Sequence, residues 1–70
     1  MNAFETWLLN QDRAAAIDHM VACLRDGGEL AWHLMTKING EKWSCKPEDM
    51  PAYINATLDK LAESPPDEGA

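Results

Sequence analysis

The chain has 70 residues and a net charge of -6, from twelve acidic and six basic side chains, with two Cys, three Trp, one Tyr and one Phe. That length allows one domain, which buries only about 60% of the surface its unfolded chain exposes and leaves little scaffold for an elaborate catalytic cleft. The acidic balance argues against binding to nucleic-acid phosphates or to anionic membrane surfaces, both of which need clustered Lys and Arg; it suits solubility or a basic partner.

Apolar periodicity predicts an all-α fold, a small compact bundle or array of about four short helices. The first runs from about Ala3 to Asn10, with Asn2 as N-cap and Glu5 near the positive end of the helix dipole. Phe4, Trp7 and Leu8 fall at i, i+3 and i+4, so they are expected on one inward face. Two turns are not stable alone, and this helix must dock.

The second helix starts near Asp12 and stops at Gly27-Gly28. Ile17, Met20, Val21 and Leu24 form its expected core face. Ala15, Ala16, His19, Ala22 and Cys23 share another side that is small and mostly uncharged. A helix apolar on nearly all sides needs a second cover, from the fourth helix or from another chain.

The third helix begins around Gly28-Glu29 and ends at Asn39-Gly40. Ala31, Leu34, Met35 and Ile38 are its stripe; Leu30 and Trp32 flank it, and His33 points away. Strand is the weaker reading of Leu30 to Ile38, because Ala, Leu and Met favour helix. The connection from Gly40 to Asp49 carries Trp43, expected to anchor on a core edge. Pro51 opens the fourth helix, where its missing N–H costs nothing. Ile54, Leu58 and Leu61 are the stripe there, and Thr57 interrupts it. Ser64-Pro65-Pro66 should end the helix, so residues 1–63 read as one helical domain and 64–70 as a flexible acidic tail.

No apolar run reaches the ~20 residues of a membrane span, and the first residues lack the basic start of a secretory signal. A cytoplasmic protein with reduced Cys23 and Cys45 is the expectation.

Few residues suggest chemistry. His19 and Cys23 lie i, i+4 on one helix face, and with His33 and Cys45 they could make a Cys2His2 zinc staple. The spacing matches no usual ribbon or finger. The favoured reading therefore has no metal and no cofactor. Neither Cys has an evident catalytic setting, no phosphate-binding glycine loop is present, and the chain reads as a non-enzyme.

Aromatic and acidic residues point instead to contact with another protein. Trp32, Trp43 and Tyr53 are the expected anchors, with Glu48 and Asp49 steering toward a basic surface. Ala15, His19, Ala22 and Cys23 are the expected face for a homodimer, with the Trp32 flank as the other route to self-association. In size, acidity and lack of catalytic apparatus the chain resembles the small accessory proteins with which bacteriophages and mobile elements bind and inhibit host factors. That resemblance of class implies steric occupation of a larger protein's surface. The alternatives are a zinc-stapled structural domain and an acidic mimic of nucleic acid, since Glu41, Glu48, Asp49, Asp59 and Glu63 gather in the C-terminal third among Lys42, Lys46 and Lys60.

Overall fold

A computed structural model describes residues 3–63; the expected Asn2 cap and the 64–70 tail lie outside them. Four helices follow one another: α1 (Ala3–Asn10), α2 (Arg13–Arg25), α3 (Glu29–Asn39) and α4 (Met50–Glu63), with a short 3-10 turn at Pro47–Asp49 leading into α4. Among the described residues there is no strand. The all-α expectation therefore holds, helix by helix. None of these helices is long and apolar enough to cross a membrane.

Local chemistry sets the boundaries. At the end of α2, Gly28 N–H donates to the Cys23 carbonyl at 2.7 Å and Gly27 N–H to the Leu24 carbonyl at 3.4 Å. This is the 6→1 and 5→2 pair of a Schellman stop, and it requires the left-handed conformation at Gly27, φ 77°. Gly28 is at once the last residue of that stop and the N-cap of α3, whose carbonyl accepts from Trp32 N–H at 3.1 Å. A Cβ on Gly28 would lie 3.0 Å from the Cys23 oxygen and 3.2 Å from the Cys23 Cβ, so the two helices meet closely at this corner. Asp12 occupies the N-cap position of α2 without a capping side-chain hydrogen bond.

The core consists of Leu8, Ala16, Met20, Ala31, Leu34, Met35, Ile54, Leu58 and Leu61. Helix α2 is central: it packs on α1, α3 and, most extensively, α4. Three polar ties join the helices. Lys37 Nζ donates to Glu5 Oε2 at 2.9 Å, linking α3 to α1. Asn39 Nδ2 donates to Thr57 Oγ1 at 3.0 Å, and that hydroxyl donates to the Tyr53 carbonyl at 2.9 Å. Arg13 Nη1 reaches the Asn55 side-chain oxygen at 2.9 Å and Asp59 Oδ1 at 2.7 Å. The Arg13–Asp59 pair is about half exposed, where such a bridge contributes about 0–1 kcal/mol.

The structure corrects three sequence expectations. Trp7 is not core: it is 44% exposed, while Leu8 of the same expected face is buried as expected and Glu5 joins it on the inward side of α1. Glu5 sits in the first turn as expected and is in addition buried, where Lys37 meets its carboxylate. Ala16, placed on the second face of α2 rather than its core face, is buried, whereas the expected core residues Ile17, Val21 and Leu24 are only partly so. The inward line of α2 thus runs through Ala16 and Met20, rotated by about one residue. Thr57 does not break the α4 stripe; it is buried within it, its hydroxyl satisfied by Asn39 and the Tyr53 carbonyl.

Candidate protein-binding face

Trp32, Trp43 and Tyr53 come from three different segments and meet. The Trp32 and Trp43 rings are 4.9 Å apart and tilted by 49°; the Trp43 and Tyr53 rings are 5.9 Å apart and nearly parallel, at 24°. Such spacings lie in the attractive range for aromatic pairs, about 4.5–7 Å between centroids. The three rings form a ladder from interior to surface. Tyr53 and Trp43 are partly buried and pack against the core, while Trp32 is 52% exposed at the top. Trp43 therefore does what a loop Trp was expected to do. Its indole N–H is buried with no acceptor among the described residues, so its contribution comes from ring area.

Beside Trp32 lies a groove of about 350 Å³, lined by Leu24, Gly27, Gly28, Glu29, Trp32 and His33. It occupies the corner where α2 turns into α3. Leu30, 59% exposed, stands on the same helix as Trp32. Sequence reading placed Leu30 and Trp32 on the flanks of α3 but gave no sign of the groove. The glycine corner that makes it was legible only as a helix stop. Glu48 and Asp49 are exposed on the 3-10 turn immediately before α4, the helix that carries Tyr53. They take no part in the ring contacts.

The expected self-association residues sit on a different face. Ala15, His19 and Ala22 are exposed and Cys23 is partly buried. His19 stands between aromatic neighbours: Trp7 meets it edge-on with ring centroids 4.7 Å apart, and Phe4 lies 6.1 Å away. Its Nε2 is 3.4 Å from Cys23 Sγ. His33 and Cys45 do not join this pair. His33 lines the groove, Cys45 is a free thiol in the connection before α4, and among the described residues no three His, Cys, Asp or Glu side chains gather to hold an ion. The four-ligand zinc staple within one chain is thus not assembled.

Comparison with protein-family models, with curated proteins and with solved structures finds no match to this chain.

Proposed function

We propose that the chain is a small non-enzymatic binding protein, an inhibitor or regulator that acts in the cytoplasm by covering the surface of a larger protein. The observation that carries this reading is the aromatic ladder. A half-exposed Trp braced by a second Trp and a Tyr, next to a concave corner, has the form of an interface anchor. It presents a large rigid apolar area and loses little side-chain freedom on contact. Exposed Glu48 and Asp49 and the net charge of -6 add a preference for a basic partner surface, acting on encounter rate and register more than on affinity. The mechanism is steric, as in the phage and mobile-element accessory proteins that the chain resembles in size and acidity.

The test is affinity capture from the native host's lysate with the full chain and two single variants, Trp32→Ala and Trp7→Ala. A specific protein retained by the wild type and by Trp7→Ala, but lost with Trp32→Ala, is the expected result. Recovery that does not depend on Trp32, or no recovered protein at all, overturns the reading. Far-ultraviolet circular dichroism of both variants establishes that the comparison is between folded proteins.

A further inference from the structure

The His19–Cys23 pair is the one place among the described residues where two soft metal-binding atoms already touch. Zinc binds imidazole nitrogen at about 2.0–2.1 Å and thiolate sulfur at about 2.3 Å, and a tetrahedral angle between those bonds sets N and S about 3.5 Å apart. Nε2 and Sγ stand 3.4 Å apart. The i, i+4 spacing on α2 therefore supplies a pair of ligand atoms at the edge length of a tetrahedral site. Trp7 and Phe4 flank the imidazole ring and restrict its rotation. His19 lies on the open side of α2 and Cys23 at its edge, partly buried against the core; Ala15 and Ala22, exposed beside them, leave room for a close approach.

One edge is half of a structural zinc site, which takes four protein ligands. No third ligand is available from the chain's own described residues. A second copy placed by a two-fold axis supplies an identical His–Cys pair, because an isologous contact brings the same patch from both sides. We infer that His19 and Cys23 form a half-site for a soft divalent cation of the zinc type, completed by the same two residues of a second copy. Each thiol releases its proton on binding, so the ion's two positive charges are matched by two thiolates and the two imidazoles remain neutral. The ion also gives two chains of like charge a reason to associate, which their own net charges oppose.

The test uses the full chain under a thiol-free reductant, with zinc chloride as the probe and sedimentation equilibrium as the readout. Mass is expected to double at one zinc per two chains and to return to the monomer value on adding a chelator. Cobalt in place of zinc should give the strong visible bands of tetrahedral coordination and a sulfur-to-metal charge-transfer band. His19→Ala and Cys23→Ser should each abolish the doubling and weaken zinc binding by about 100-fold or more, since losing even a supporting partner of a ligand costs about 10–100-fold. His33→Ala, Cys45→Ser and Trp32→Ala should leave the doubling intact. A chain that stays monomeric in zinc, a complex of one zinc with one chain, or a doubling that requires Cys45 overturns the inference. The cobalt spectrum of the wild type decides the coordination even if a variant fails to fold.

Discussion

Two half-exposed tryptophans stand on opposite kinds of support. Trp32 rests on Trp43, which rests on Tyr53, and the latter two pack against the core. Trp7 rests on His19, itself exposed and in contact with Cys23. The first arrangement is apolar from surface to interior and offers shape. The second ends in a nitrogen and a sulfur and offers ligand atoms. Exposure alone would have classed the two rings together; what lies beneath each separates the proposed recognition surface from the proposed coordination surface.

The most damaging way to break this comparison is to remove the middle rung. Trp43→Ala should lower unfolding free energy by about 3 kcal/mol, the low end for a Trp truncation, because the ring is only partly buried and its unpaired N–H is removed with it. Urea denaturation measures this, and the zinc response should persist under native conditions. A smaller effect sharpens the contrast from the other side. Lys37→Met removes the cation that meets the buried Glu5 carboxylate and should cost about 2 kcal/mol, below the range for fully buried pairs because Lys37 is partly open to solvent. Hydrogen exchange should show faster exchange in α1 with the ladder amides of α3 little changed. The smallest effects belong to the two exposed rings. Trp7→Ala and Trp32→Ala should each cost about 1.5 kcal/mol, by the same denaturation measurement, since each loses one ring contact and only about half of a Trp's full burial. Equal stability cost with different loss of function is the expected signature of the two faces.

The helices were legible because their punctuation is strong. Gly27-Gly28 and Gly40 end helices through left-handed glycines, at φ 77° for Gly27 and 95° for Gly40, and Pro51 lies one residue inside the start of α4. The stripes of α3 and α4 were legible as well, since each spans three or more turns with one apolar side. The errors fall on the two helices where period is a poor guide. In the eight residues of α1, Leu8 lies next to Trp7 and at the i, i+3 position from Glu5, and apolarity alone favours the face with Trp7. The choice was settled by Lys37, 32 residues away, which meets Glu5 from α3. In α2, alanines in successive turns flatten the contrast between sides, so the inward line could be misplaced by one residue. The candidate sites divide in the same way. The three aromatic residues were picked for chemical type, and their meeting is tertiary. Of the four residues weighed as zinc ligands, only His19 and Cys23, the pair related by helical spacing, stand together.

The Gly27–Gly28 corner has a consequence for the cost of occupancy. A groove walled by a flexible connection would have to be ordered when filled, at about 1–2 kcal/mol for each backbone residue fixed. Here the wall is the joint itself. Its amides are already committed to the carbonyls of α2, and Gly28 is held against Cys23 with no space for a side chain. The entropy of shaping that cavity is lost when the protein folds, so whatever settles beside Trp32 meets a surface that is already set.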